Sequence, residues 1–278
     1  MSLKPILVPT DFTEVAHTAI NHAVELAKTI HTSVVILHVV KSESDIEKVA
    51  EKMDAEVALA NQIEGDVKVS KLVRVGNIFD DIGEAASEVN ATLIVMGTHG
   101  ASGWQKITGS KALKVITNSP VPFIVVQKEV MHESGYDCIA VPLDLHNETK
   151  QKLKIVADMA KYFDSEVHII TPKETDEFLI HKLNGNIAWA KKYLTEKGIK
   201  NTAHITKRKG DFVEQLIEIA HDVDADLISI MNLQKNSLIG MLSNYEQAII
   251  TNKYQIPVLC VNPVNTNVAT GSIFAAVS

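Results

Sequence analysis

The sequence predicts an α/β protein built as two tandem, doubly wound, open parallel five-stranded sheets. Three observations carry that reading. Short apolar runs alternate with stretches whose apolar residues recur at helical spacing, the pattern of parallel strands joined by crossover helices. Several residues of that pattern return after an offset of 133 to 135 positions, the mark of a duplicated unit. The length, 278 residues, gives room for two units of ordinary size.

Each element of the first unit follows from its residues. Lys4 to Val8 is a short apolar strand, and from Ala16 the residues Ala19, Ile20, Ala23 and Ala27 mark the inward face of a helix. Val34 to Val39 is a second strand. Ile46, Val49, Ala50, Met53, Val57 and Ala60 mark a long second helix. Val67 to Val75 alternates as a strand, and Gly76-Asn77 turns into a helix with Ile78, Ile82, Ala85, Ala86 and Val89 inward. Leu93 to Met96 is a fourth strand. A glycine-rich loop follows, then a helix with Leu113 and Ile116 inward, and Phe123 to Val126 closes the unit as a strand bounded by proline.

The second unit repeats these landmarks. Ile139 to Asp144 echoes Ile6 to Asp11, Gly210 to Phe212 echoes Gly76 to Ile78, and Asp224 to Ile228 echoes Asn90 to Ile94. Ile256 to Val258 echoes Val121 to Phe123. The units are expected over residues 1–130 and 135–264, with 265–278 a tail that frays because its Asn, Thr, Gly and Ala carry no period.

Composition narrows the class. Aromatic residues are only 5% against 46% hydrophobic, so the core is aliphatic. The formal charge of -7 argues against a broad nucleic-acid surface, which would need a basic face, and the run Lys207-Arg208-Lys209 reads as a solvated loop or strand edge. Cys138 and Cys260 lie within apolar runs and are expected as buried thiols, which fits a reducing compartment. The chain enters strand material at Pro5 without a charged-then-apolar leader, and nothing approaches eighteen consecutive apolar residues. A cytoplasmic protein with no membrane partner is the expectation.

The segment from Leu93 to Val126 is the most informative. A strand feeding a glycine-rich loop at the start of a helix can gather backbone N–H groups around an anion, and the helix terminus adds partial positive charge. Pro9-Thr10-Asp11 lies at the carboxyl end of the first strand and Gly97 to Gly100 at that of the fourth. In a doubly wound sheet these two ends meet where the strand order reverses, the usual place for a ligand.

These residues resemble the universal stress protein family, whose ATP-binding members carry an Asp after the first strand and a Gly-x2-Gly-x9-Gly-Ser/Thr loop after the fourth. Gly97-Thr98-His99-Gly100 matches the first pair of glycines and Gly109-Ser110 the last, with a spacer of eight residues, Ala101 to Thr108, one short of nine. The resemblance covers both units and implies a tandem member. It also implies roles for matching positions. Asp11 would meet the ribose hydroxyls or a metal near the phosphates. Pro9, Thr10 and Val39, with Met96 beside them, would line the adenine and ribose pocket. Gly97, Gly100, Gly109, Ser110 and the N–H of Lys111 would cradle phosphate. Thr98 and His99 lie within the same loop, where His99 could touch a phosphate, a partner or only water. The ligand implied is an adenine nucleotide, ATP first, with Mg²⁺ as its companion. The simpler readings are that Asp11 or Ser110 only caps the helix that follows it, that the glycines only turn the chain, and that His38 is a satisfied strand histidine.

The second unit serves as an internal control. Met231, Gln234, Ser243 and Asn244 stand where the first has Gly97, Gly100, Gly109 and Ser110, and Leu143 replaces Thr10, while Asp144 keeps the place of Asp11. The phosphate cradle is therefore expected in the first unit alone, with Met231 and Gln234 expected to fill space that phosphate needs. Because the second unit turns without those glycines, the first unit's glycines read as answering to a ligand.

Three functions follow. The first is a nucleotide-binding regulatory module of a stress response without catalytic residues. The second is a slow ATPase or nucleotide-transfer enzyme. Against it, the chain has no Walker-type Gly-Lys-Ser/Thr, no Ser-Gly-Gly after the first strand and no His-x-Gly-His, and its base would have to be Asp11 or His99. The third is a ligand-free dimerisation protein. The apolar last strands, Phe123 to Val126 and Val258 to Val261, want cover. Family members of one unit dimerise through that strand, which implies an intramolecular pseudo-dimer here and leaves a further homodimer open.

Overall fold

The computed structural model describes residues 4–63, 65–98, 121–129, 131, 135–143, 149–208, 210–231 and 244–262. In the first unit β1 (Ile6–Pro9), α1 (Glu14–Ile30), β2 (Val34–Val40), α2 (Ile46–Gln62), β3 (Val69–Val75), α3 (Ile78–Glu88), β4 (Leu93–Gly97) and β5 (Phe123–Val126) follow in order. The second repeats them as β6 (Cys138–Pro142), α4 (Thr149–Phe163), β7 (Glu166–Thr171), α5 (Glu177–Glu196), β8 (Asn201–Ile205), α6 (Phe212–Asp222), β9 (Leu227–Met231), α7 (Asn244–Ile250) and β10 (Val258–Val261). The helix expected after the glycine loop, the tail 265–278 and most of the loop itself lie outside the described residues.

Both expected five-stranded sheets are present, and they join edge to edge into one. Ten strands run in the order β3-β2-β1-β4-β5-β10-β9-β6-β7-β8, parallel within each unit and antiparallel only where β5 meets β10. Ile124 pairs with Leu259, its own counterpart in the second copy, so the joint has the self-complementary character of a twofold interface. That is the pseudo-dimer expected from the two apolar final strands, and pairing them removes two inner edges.

Burial explains why some strands read as continuous apolar runs and others alternate. The inner strands β1, β4, β5, β9 and β10 are covered on both faces and have almost no exposed residue. The outer strands β3 and β8 mix exposed and half-buried positions and hold no fully buried residue. Helices α1, α2, α4 and α5 cover one face, with Ile20, Met53, Val156 and Leu194 in one apolar layer. Helices α3, α6 and α7 cover the other, around Ile82, Leu216 and Ile249.

The link between the units is specific. The Tyr136 side chain is fully buried, its hydroxyl is 3.0 Å from Nδ1 of His22 on α1, and its ring meets Phe163 edge-on at 5.4 Å. The other His22 nitrogen is 2.8 Å from the Glu129 carbonyl, so Nε2 donates there and Nδ1 can accept from tyrosine. Gly135 has a φ of 86°, and a Cβ there would lie 2.2 Å from the Phe163 ring. Only glycine fits that turn.

Cys260 is buried as expected, while Cys138 is only half-buried, and both are free thiols. The Cys138 thiol donates to the Val223 carbonyl, and burial pushes its pKa up to about 12. It is therefore a poor nucleophile. Lys207 and Arg208 of the basic run are exposed, as expected for a solvated edge.

Candidate functional site

The two central strands of the first unit part at their carboxyl ends. β1 pairs with β4 only at Ile6–Leu93 and Leu7–Ile94, whereas β1 keeps four pairs with β2 and β4 keeps four with β5, to Gly97–Val126. A crevice therefore opens beyond Leu7, between the Pro9-Thr10-Asp11 corner and the Gly97-Thr98 turn. It sits at the reversal of strand order, where ligands bind doubly wound sheets. The second unit opens in the same way, since β6 pairs with β9 only at Ile139–Leu227 and Ala140–Ile228.

The corner after β1 is held from three elements. From β2, Nδ1 of His38 donates to the Thr10 carbonyl at 2.8 Å, making His38 the satisfied strand histidine of the simpler reading. From α1, the Thr13 amide and hydroxyl both donate to Asp11 Oδ1, at 3.2 and 2.5 Å. From α2, Glu56 Oε1 accepts from the Thr10 hydroxyl at 3.4 Å and lies 3.1 Å from Nε2 of His17. The Thr10 hydroxyl in turn accepts the Phe12 amide at 3.0 Å. Phe12 takes a φ of 64°, which a non-glycine residue adopts at some cost in strain, and its ring packs on His38 at 4.4 Å.

Asp11 is not the helix cap. Thr13 is, its hydroxyl accepting the Ala16 amide, and Asp11 braces that cap through Oδ1. The second Asp11 oxygen, Oδ2, is out of contact with solvent and takes no hydrogen bond from any described residue. Glu56 is in the same condition at Oε2 and is 3% exposed. Burial raises its carboxyl pKa; His17 opposes that rise and the Asp11 charge adds to it. Two buried carboxylate oxygens at the mouth of a crevice are costly unless something donates to them.

Of the residues singled out in the sequence, Pro9, Thr10 and Asp11 stand on one side of the crevice and Gly97 and Thr98 on the other. Thr98 turns toward β5, its amide and hydroxyl both donating to the Val126 carbonyl. Met96 is buried in the layer beneath α3, and Val39 is half-buried on β2 against the same layer. His99, Gly100, Gly109, Ser110 and Lys111 lie outside the described residues. Glu56 and His17 were missed by sequence reading. The signal was a carboxylate at an inward position of α2, between Met53 and Ala60.

Gly97 has a packing reason of its own. A Cβ there would lie 2.5 Å from Val15 Cγ1 and 2.8 Å from the Val15 carbonyl oxygen. The close approach of β4 to α1 thus demands glycine whatever binds. The second unit's lack of glycine at this place therefore does not by itself single out Gly97 as a ligand residue. Met231, its counterpart, is 3% exposed and belongs to the apolar layer on the α1 and α4 face. It fills space between sheet and helix.

Among the described residues no group of three or more His, Cys, Asp and Glu could hold a metal ion, and no helix is long and apolar enough to cross a membrane. A separate cavity of about 240 Å³ lies at the junction of the units. Its walls include His22 of α1 and Tyr136, Asp226 and Pro257, which precede strands β6, β9 and β10, and none of the crevice residues.

Comparison with known proteins agrees with this geometry. The model of the universal stress protein family matches residues 2–127. A universal stress protein of Methanocaldococcus jannaschii is 34% identical over 140 residues, which is 45% of this chain and 82% of that protein. A second from the same organism is 29% identical over 156 residues, covering 45% and 96%. Among solved structures, a universal stress protein from Archaeoglobus fulgidus superposes with a TM-score of 0.76 at 20% identity, covering 95% of this chain and 98% of its own. A putative universal stress protein from Pseudomonas aeruginosa gives 0.62 at 16% identity, with 94% of each chain covered. These two likenesses are of fold, and they extend over both units.

Proposed function

This chain belongs to the universal stress protein family, and we propose that its first unit binds an adenine nucleotide, ATP foremost, in the crevice between β1 and β4. The observation that carries the proposal is Asp11. One of its oxygens is committed to Thr13, and the other is buried with no donor among the described residues at the point where the central strands part. A carboxylate so placed suits a ligand that brings hydroxyl donors, as a ribose does. The backbone at Gly97, together with Gly100, Gly109, Ser110 and Lys111, would hold the phosphates, and any Mg²⁺ would arrive with them. Pro9, Thr10 and Val39 would border the base.

The reading is of binding without turnover, in a stress-response regulator whose occupancy changes conformation or partner choice. The free thiols Cys138 and Cys260 support a reducing compartment, and we place the protein in the cytoplasm. The test is a thermal-shift series with ATP, ADP and AMP on wild type and Asp11→Asn. A bound nucleotide raises stability by RT ln(1 + [L]/Kd), so a shift for one of them that Asp11→Asn abolishes supports the site. Equal shifts in both proteins would contradict it. Phosphate release from ATP in single-turnover assays would contradict the reading as a binder.

A further inference from the structure

We propose that Glu56 is a positioning residue of the first crevice, present to hold the Thr10-Asp11-Phe12 corner in its ligand-ready conformation through the Thr10 hydroxyl. The inference rests on the nucleotide reading of that crevice and adds to it a residue on α2.

Keeping a carboxylate at this place is costly. Glu56 is 3% exposed, one of its oxygens has no donor among the described residues, and burial raises its pKa. The ionised side chain therefore destabilises the folded state at neutral pH relative to the unfolded one. A residue kept only for packing would be apolar, and the chain contains that alternative. The offset of 134 that relates Gly76 to Gly210 puts Ala190 at the place of Glu56, where it is fully buried. Leu143, also fully buried, stands for Thr10. One fold is thus written with a Thr–Glu pair in the unit that keeps the glycine loop and with Leu and Ala in the unit that has lost it.

The hydrogen-bond directions show what the pair does. The Phe12 amide donates to the Thr10 hydroxyl, so that hydroxyl must spend its own proton elsewhere, and Glu56 Oε1 receives it. The bond fixes the hydroxyl rotor, and through it the Phe12 amide at a φ of 64°. Asp11 lies between the two tied residues, so its carboxylate is aimed by restraints on both sides. His17, with a half-exposed side chain, supplies the second donor to the same oxygen. Lys52 sits 5.5 Å from the Phe12 ring centroid and closes the corner from the α2 side.

The test separates this role from a structural one and from failure of the nucleotide reading. ATP affinity is measured calorimetrically for the full chain as wild type, Glu56→Ala and Glu56→Gln, with the melting temperature of each. Backbone exchange is followed at the Phe12 and Thr13 amides without nucleotide. Losing one hydrogen bond to a charged group predicts affinity about tenfold weaker in Glu56→Ala. The melting temperature should be equal or higher, and exchange at both amides faster. Glu56→Gln keeps the acceptor for Thr10 and should restore most of the affinity. Affinity in Glu56→Ala within about twofold of wild type would overturn the proposal. So would a loss that comes with a lowered melting temperature, or one that glutamine does not rescue. Should wild type bind no ATP, the nucleotide reading falls, and unchanged exchange at Phe12 and Thr13 would dismiss the positioning role separately.

Discussion

Gly97 and Val15 meet so closely that one added carbon on Gly97 would sit 2.5 Å from the valine side chain. The contact brings the carboxyl end of β4 against the first turn of α1, and it closes one side of the crevice. Gly97→Ala is expected to cost about 1–3 kcal/mol by overpacking, read as a lowered melting temperature without ligand. Val15→Ala added to it recovers only part, because the Val15 carbonyl oxygen, at 2.8 Å, stays in place. A neutral Gly97→Ala would refute the close approach. Copying Met231 into position 97 would likewise be read as damage to the fold, so binding is better probed at Asp11 and Gly109.

Thr13→Ala removes both the helix cap and one of the two donors that hold Asp11 Oδ1, the hydroxyl. The backbone donor survives the substitution, so Asp11 is loosened rather than freed. The expected loss is about 1 kcal/mol of stability, with ATP affinity falling as well. Chemical denaturation gives the first quantity and calorimetry the second. An unchanged midpoint would mean that Thr13 does not cap α1.

Tyr136→Phe tests the link between the units. It takes from buried His22 its partner at 3.0 Å, and the expected cost is about 1–2 kcal/mol. Because the tyrosine ties the linker to α1 of the first unit, the loss should appear in one cooperative transition of the whole chain. Two separate transitions in wild type would contradict a single ten-stranded sheet.

Glu56→Gln should show a pH-dependent gain. The charged and titratable groups facing Glu56 are His17 on α1 and Asp11 at the corner. Its carboxyl pKa is raised in the folded state, so the folded protein holds that proton more tightly than the unfolded chain. The stability Glu56 contributes is present below the ordinary carboxyl range and lost as pH rises through the raised value. Glutamine removes that loss. The melting temperature of Glu56→Gln should therefore exceed that of wild type at pH 7.5, with the difference shrinking as pH falls toward 4.5, the ordinary glutamate value. A constant difference across that range would show that Glu56 does not titrate against folding.

Much of this fold can be read from residue order because its inner strands are buried on both faces. Runs such as Leu93 to Met96 cannot sit at a surface, and the repeat after 133 to 135 residues doubles each observation. What residue order could not supply is contact across the chain. Nothing in the sequence pairs Ile124 with Leu259 within one sheet, beyond the apolarity of both strands. Asp11 could be placed at a strand end from its position, but its two oxygens acquire different roles only once Thr13 folds back on it. Glu56 was passed over because periodicity counts apolar positions, and a carboxylate on the inward face breaks the count. Gly97 carried two readings from sequence, turn and ligand, and the space beside Val15 adds a third that neither pattern nor motif contains.

The most direct measurement is a calorimetric titration of the full chain with ATP, giving affinity and stoichiometry together, for wild type and Asp11→Asn. Two crevices of the same strand geometry exist, but only the first keeps Thr10, the Glu56 clamp and the glycine loop. One ATP per chain is expected in wild type and none detectable in Asp11→Asn at the same concentrations, with both proteins melting cooperatively. Two ATP per chain, or undiminished binding in Asp11→Asn, would contradict it.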